Sequence, residues 1–336
     1  MLRVSIAIPS RGPSDKLAAC LESLGRQSQP PDEVLVGLDG GDDDDAQGVA
    51  DRAPRSIAER LSVLAFERQG YIPIRGALFA QAPGDLLISL NDDVIADAGL
   101  VEAHAKRHAA SDESVVVCGR SRWKPVDAPT LFDRLVERSP LIFFDPELAR
   151  DAGGVLSYRY CYGLNFSARA EAIREAGGCV GPAFGYGYDD TELAFRLERR
   201  LGARIVDGED AIVVHDHRYT PDSVMRREYE LGRSALAYAN LNPDFARDLF
   251  RREITSEHEL QYARAYLERE RRDAMRVERS FIELAAMPAE TWGDPPRAWH
   301  LLAEHWLVLK RYLWRWGLCD AADEIAPRWQ RLAGAD

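Results

Sequence analysis

Long hydrophobic runs are missing from this chain of 336 residues: no apolar stretch approaches the ~20 residues that span a bilayer. The opening "MLRVSIAIPSRG" has its apolar run broken by Ser5 and ended by Pro9, too short for the core of a secretory signal. Cysteine is scarce. The five present (Cys20, Cys118, Cys161, Cys179, Cys319) are odd in number, scattered and free of any C-x-x-C pair, so neither a disulfide framework nor a thiolate zinc site is expected. A reducing cytoplasm is the simplest setting. Excess positive charge is lacking too. Lys and Arg number 43 against 55 Asp and Glu, and the net charge of −12 argues against a broad nucleic-acid or anionic-membrane surface. An acidic protein that handles an anionic substrate needs a metal or a few placed arginines to offset the repulsion.

What is present reads as an ordinary globular composition, with 46% hydrophobic and 29% charged residues, and length for two domains or one domain with an appendage. The first half alternates strand-like and helix-like segments. "RVSIAIP", "DEVLVGLDGG", "LSVLAFE" and "LLISL" read as strands, while "SDKLAACLESLGRQ", with Ser14 as N-cap, and "IPIRGALFAQAPGD" read as helices. Such alternation predicts βαβ units and a parallel sheet with helices on both faces. Ligands of these sheets sit at the carboxyl ends of the strands, so Pro9–Arg11, Asp39–Gly41 and Asn91–Asp93 should gather along one edge. "ARIVDGEDAIVVHDHR" returns to strand character. Beyond about Tyr219 the pattern is helical, with a long charge-laced segment, a break at "PAETWGDPPR" and a second helix, "AWHLLAEHWLVLKRYLWRWGL".

Three constellations carry chemistry. In "LLISLNDDV" two adjacent carboxylates stand at the tip of a buried strand, where they repel each other and are costly to desolvate; a divalent cation would relieve both penalties, and a solvated helix cap is the bland alternative. In "GYGYDDTELAFRL" Asp189 and Asp190 stand where a glycine loop becomes a helix. They fit a good cap, or a general base whose pKa is raised by its neighbour, with Phe184, Tyr186 and Tyr188 offering flat apolar faces to a sugar ring. In "VVHDHR" His215 and His217 share one face at strand spacing, as structural histidines or as metal ligands. Arg11 and Arg75 lie near the expected ligand edge, where a guanidinium takes a phosphate bidentately; surface ion pairing is the commoner fate. The aspartate run at 42–45 is expected to be a solvated loop without chemistry.

Taken in order, these pieces resemble the family 2 glycosyltransferases of GT-A fold. "VSIAIPSRG" is similar to the opening strand and nucleotide-contacting turn, "PDEVLVGLDGGDDDD" to the second strand and its loop, and "RGALFAQAPGDLLISLNDDV" to the arginine-bearing helix before the DxD motif. The block from "CYGLNFSAR" through "GYGYDD" to "VVHDHR" resembles the acceptor side, and is the most specific. The resemblance implies an α/β fold with a mainly parallel Rossmann-like sheet, over residues 1–225, and a helical C-terminal region over 226–336. It implies an inverting transfer from a nucleotide-diphosphate sugar, UDP being the family's usual carrier, to a glycan or lipid-linked acceptor, with Mn2+ or Mg2+ as cofactor. By position, Pro9, Ser10, Arg11, Asp39, Asn91 and Asp92 would line the donor, and Arg75 would face its diphosphate. Asp93 and His215 would hold the metal, with His217 as the alternative; Asp190, supported by Asp189, would be the base; and Trp123, Asn165, Gly187 and Tyr188 would meet the acceptor. Two positions depart from the family pattern: Asn91 begins the DxD position, and Leu38 replaces an aspartate before Asp39.

Two other classes remain open on the sequence. A sugar-1-phosphate nucleotidyltransferase would carry a glycine-rich basic loop after the first strand, where this chain has only "PSRGPSDK". A non-catalytic nucleotide- or carbohydrate-binding relative is the other. The C-terminal helix, with Trp299, Trp306, Trp314 and Trp316 among leucines, reads as packed on the catalytic domain or on a second copy in a homodimer; the alternative is an interfacial helix at the inner face of a membrane.

Overall fold

The computed structural model describes residues 2–111, 114–143, 155–292, 297–329 and 331–332. The chain divides into two compact units that interleave along the sequence. One comprises Met1–Lys124, Leu148–Gly185 and Asp189–His217; the other comprises Pro125–Glu147, Tyr186–Tyr188 and Arg218–Asp336.

The first unit holds one sheet of eight strands: β1 (Val4–Ser10), β2 (Glu33–Asp39), β3 (Leu61–Phe66), β4 (Leu86–Leu90), β5 (Val94–Ala96), β6 (Val115–Trp123), β7 (Asn165–Arg169) and β8 (Arg204–His215). Their order across the sheet is β3-β2-β1-β4-β7-β6-β8-β5. β1 pairs in parallel with β2 and β4, β2 with β3, and β6 with β8. β7 runs antiparallel between β4 and β6, and short β5 antiparallel to β8. The sheet is mainly parallel, as expected, with antiparallel pairing at β7 and β5. Every residue of β1 and β4 is buried, which is why both read as continuous apolar runs.

Helix Asp15–Leu24 starts where Ser14 Oγ accepts from the Leu17 N–H at 3.0 Å, and buries Leu17, Cys20, Leu21 and Leu24. The aspartate run differs from expectation. Asp42 is the N-cap and Asp45 the third residue of helix Asp43–Arg52, each side chain accepting from the other's backbone N–H. Carboxylates are favourable at exposed helix N-termini because the unpaired N–H groups and the helix dipole both attract them. The run starts a helix rather than a loop.

The second unit is helical: Leu131–Arg138, Pro221–Leu241, Pro243–Phe250, Glu257–Ala285 and Arg297–Ala322. Helices Pro221–Leu241 and Arg297–Ala322 meet through glycines. A Cβ on Gly232 would fall 2.0 Å from the Trp314 carbonyl oxygen, and one on Gly317 would fall 1.9 Å from that of Tyr229. Trp306, Leu309, Leu313 and Leu318 of the last helix have no exposed surface, and Trp314 is nearly buried. These side chains fill the core of their own unit. Among the described residues no helix is long and apolar enough to cross a membrane.

Candidate active site

The parallel register of β1 and β2 sets Ser10 beside Leu38, and that of β1 and β4 sets Ala7 beside Ser89, so the three strand tips share one edge. Ser10 Oγ donates to Asp92 Oδ2 at 2.5 Å and ties the tip of β1 to that of β4. Asp39 Oδ1 accepts from the backbone N–H groups of Gln69 and Gly70 at 2.7 and 3.0 Å, which anchors the segment leaving β3. Pro9 is buried within β1, and Arg11 is exposed on the turn.

The three polar residues after β4 diverge to three partners. Asn91 Oδ1 accepts from Arg75 at 2.8 Å. Asp92 takes the Ser10 hydroxyl; burial raises its pKa, the Ser10 hydrogen bond opposes this, and the charge of Asp93 adds to it. Asp93 faces β8. His215 Nε2 lies 3.3 Å from its Oδ1 and His217 Nδ1 lies 3.3 Å from its Oδ2. The Asp216 N–H donates to the Asp93 carbonyl at 2.7 Å, and β5 pairs Val94 with His215, so backbone bonds hold the junction in place. The two imidazoles stack with centroids 5.4 Å apart, and Trp123 lies against His215 at 5.0 Å.

Asp93, His215 and His217 offer one ligand atom each, all within 4.8 Å of one another. Asp93 Oδ1 is buried and accepts no hydrogen bond within geometric limits from the described residues. Burial alone would raise the Asp93 carboxyl, but the two histidines facing it at 3.3 Å hold it well below the usual range, so the carboxylate stays ionised. Two imidazoles and one carboxylate with an orphaned oxygen fit a divalent cation. This donor set suits a first-row transition ion better than Mg2+, which favours oxygen.

Helix Asp189–Leu201 brings the acidic pair. Asp189 is 1% exposed and receives Arg75 Nη1 at 2.5 Å and Tyr71 Oη at 3.3 Å. Asp190 accepts from the Gly163 N–H at 2.6 Å and the Thr191 N–H at 2.7 Å, and Ser89 Oγ fixes Gly163 through its carbonyl at 2.6 Å. Burial and then the charge of Asp189 push the Asp190 carboxyl up to about 6, although Arg75 and both N–H groups pull it down. Phe184 precedes the pair at φ 56°, a backbone region costly for a bulky side chain, and its ring is 67% exposed.

Two expected residues have their polar groups engaged inside the fold. Arg75 is not open to a diphosphate: it is 3% exposed, its guanidinium given to Asp189 and Asn91, because a buried carboxylate at Asp189 demands a cation. Asn165 is 2% exposed and does not form a wall for an acceptor. Its amide donates to the carbonyls of Arg120 and Ala211 and its oxygen faces His104 Nε2 at 3.0 Å, closing gaps in the sheet at the β6 bulge. Gly187 and Tyr188 belong to the helical unit, where Tyr188 Oη accepts from Trp314 Nε1 at 3.1 Å. Tyr71, which reaches Asp189, was not singled out in the sequence; it precedes the arginine by four residues, one helical turn.

No curated protein matches the chain. Among solved structures, the mannosyltransferase PcManGT from Pyrobaculum calidifontis, in complex with GDP-Man and Mn2+, superposes with a TM-score of 0.56 at 17% identity, over 93% of this chain and 87% of that one. TarS from S. aureus matches with a TM-score of 0.45 at 15% identity, over 93% of this chain and 54% of that one. Its segment 1–349 gives 0.46 at 14% identity, over 98% and 94%. The first of these likenesses shows the fold, a Rossmann-like GT-A sheet with an added helical region. Residues 5–175, just over half the chain, match the model for glycosyl transferase family 2, and the chain belongs to that family.

Proposed function

We propose that this glycosyltransferase moves a sugar from a nucleotide-diphosphate sugar to an acceptor hydroxyl with inversion, by single displacement at the anomeric carbon. The observation that supports the reading most is the placement of Asp190. It is a carboxylate poised at about 6, held by the N–H groups of Gly163 and Thr191 and next in sequence to Asp189, whose hydrogen bond to Arg75 leads on to Asn91 at the tip of β4. A base with this pKa is ionised at neutral pH yet basic enough to take a hydroxyl proton. Asp190 accepts the acceptor's proton; the freed oxygen forms the new bond to the anomeric carbon while the bond to the diphosphate breaks on the opposite side. Asp189 and Arg75 keep Asp190 oriented and set its charge. Ser10, Asp39, Asn91 and Asp92 line the donor with Pro9 and Arg11, and Phe184 and Trp123 present flat faces to sugar. Asp93 and His215, joined by His217, would hold a divalent cation, which when bound neutralises diphosphate charge.

The donor set favours Mn2+ over Mg2+. UDP-sugars are the first candidates by family habit; GDP-mannose is the second, because the PcManGT structure holds it. Residues 1–225 carry transfer in this reading, and the helices of 226–336 serve packing, self-association or contact with a membrane surface. Incubation with a panel of UDP-, GDP- and dTDP-sugars and Mn2+ should release nucleoside diphosphate from one of them. Asp190→Asn should lower that turnover by about 10²–10⁴-fold. Release undiminished in Asp190→Asn would refute the base, and no release from any donor would favour a binding protein.

A further inference from the structure

The helical unit contains a cavity of about 570 Å³ that the transfer chemistry does not use. Its walls include Phe143, Leu231, Phe250 and Trp314, and its lining carries five cations, Arg227, Arg252, Lys310, Arg311 and Arg315, against one acid, Glu228. In a protein of net charge −12 this is a concentration of the minority sign. Some of that charge is already engaged. Arg227 donates to Tyr186 Oη and to the Ile142 carbonyl, Lys310 Nζ to the Leu141 carbonyl at 2.7 Å, and Arg252 pairs with Glu259 at 2.9 Å. Arg315 is stacked on Tyr266 and Tyr262, at 4.6 and 5.6 Å from their centroids, and Arg252 lies over Trp314 at 5.5 Å.

The remaining polar demand is unusual. Of the eight buried side-chain polar atoms without a hydrogen-bond partner among the described residues, three belong to this lining: Glu228 Oε2, Arg252 Nε and Arg315 Nε. Glu228 is 2% exposed, and its nearest cation, Lys310, stays 4.0 Å away. Arg252, Arg311 and Arg315, none of them fully buried, put three guanidinium groups on one cavity wall, which suits an anionic group carrying several oxygens. The aromatic and aliphatic walls require the rest of the ligand to be apolar.

We infer that this cavity binds an amphiphilic phosphate ester, an alkyl or prenyl phosphate whose phosphate meets Arg252, Arg311 and Arg315 and whose hydrocarbon lies against Leu231, Phe250 and Trp314. The site lies within one unit and its test reads binding, so it does not depend on the transferase reading. Geranyl phosphate titrated into the full chain, followed by calorimetry and tryptophan fluorescence, should bind saturably. Geraniol and inorganic phosphate should each bind at least about tenfold more weakly, since each lacks half of the recognition. Arg315→Gln should weaken geranyl phosphate by about 10- to 100-fold, and Arg311→Gln, at an exposed position where folding is not at risk, by about tenfold. Melting temperatures of both variants establish that they fold. Absence of geranyl phosphate binding by the unaltered protein, affinity unchanged in folded Arg311→Gln and Arg315→Gln, or tighter binding of glucose 1-phosphate than of geranyl phosphate would each overturn the inference.

Discussion

Replacing Arg75 with Met removes the only cation among the described residues that hydrogen-bonds Asp189, at similar side-chain volume. Asp189 is 1% exposed, and without its 2.5 Å bond to Arg75 it would keep, among the described residues, the Tyr71 hydroxyl at 3.3 Å and the weak Cys179 thiol donor at 3.9 Å, with Asp190 next to it in the chain. Asn91 would lose its 2.8 Å donor as well. Breaking one side of a buried ion pair typically costs about 3–5 kcal/mol, because the surviving charge is stranded. That is a large part of the roughly 5–15 kcal/mol that holds a domain together. The stranded charge, not the lost pair, is the origin of the cost, so Arg75→Met combined with Asp189→Asn should recover about 2 kcal/mol relative to the sum of the single variants. Arg75 is also one of the groups that lower the Asp190 pKa, so its removal should move the acid limb of kcat/KM upward from about pH 6. Urea denaturation of the four proteins at pH 7 measures the cycle, and rates from pH 5 to 8 measure the limb. Additive losses below about 1 kcal/mol, with the limb unmoved, would refute the reasoning that the pair is a buried, coupled support for the base.

Asp190 carries a stability signature of its own. Its folded pKa, about 6, lies above the ordinary value of 3.8, so its protonated form stabilises the fold at low pH and that contribution fades as pH rises through 6. Asp190→Asn should therefore gain stability relative to the parent by about 2 kcal/mol between pH 4 and pH 8, read from urea midpoints at several pH values; a pH-independent difference would contradict the assignment. His104 and His108 behave in the opposite sense. Burial pushes them down to about 4 and about 3 and keeps them neutral beside Asn165 and Ser167, so each costs stability only where the unfolded chain takes up a proton, below about pH 6.5. His108→Gln should shift the acid midpoint of unfolding measurably lower; an unmoved midpoint would count against it. In the helical unit, Gly317→Ala must force two backbones apart and should cost at least about 2 kcal/mol, seen as a lowered melting temperature, whereas a neutral result would contradict the close approach.

Much of this site was legible because its signals are local. The abrupt change from five apolar residues to Asn91-Asp92-Asp93 marks a strand tip, and the alternation of strands and helices places that tip beside Ser10. The two-residue spacing of His215 and His217 placed both rings on the face that turns toward Asp93. Side-chain destinations across long separations were not legible. Arg75 and Asp189 are 114 residues apart, and nothing near either one distinguishes a buried partner from a phosphate. Asn165 was placed at the acceptor by the family resemblance alone, yet β7 inserts it between β4 and β6, where its amide completes the sheet. The aspartate run was misread because a polar cluster suits a loop and a helix start alike until the capping bonds are seen. The tryptophans of the last helix carried no mark of which side they face; Gly232 and Gly317, which let the helices close on them, were the available clue.

The most direct test of nucleotide-sugar chemistry at this sheet edge is thermal stability with UDP, GDP, dTDP and CMP, each with and without Mn2+ or Mg2+, in the parent protein and in Asp93→Asn. One nucleoside diphosphate at 100 times its dissociation constant should add about 2.7 kcal/mol, with the cation required and the gain lost in Asp93→Asn. A protein whose melting is unmoved by every nucleotide and cation would contradict the account.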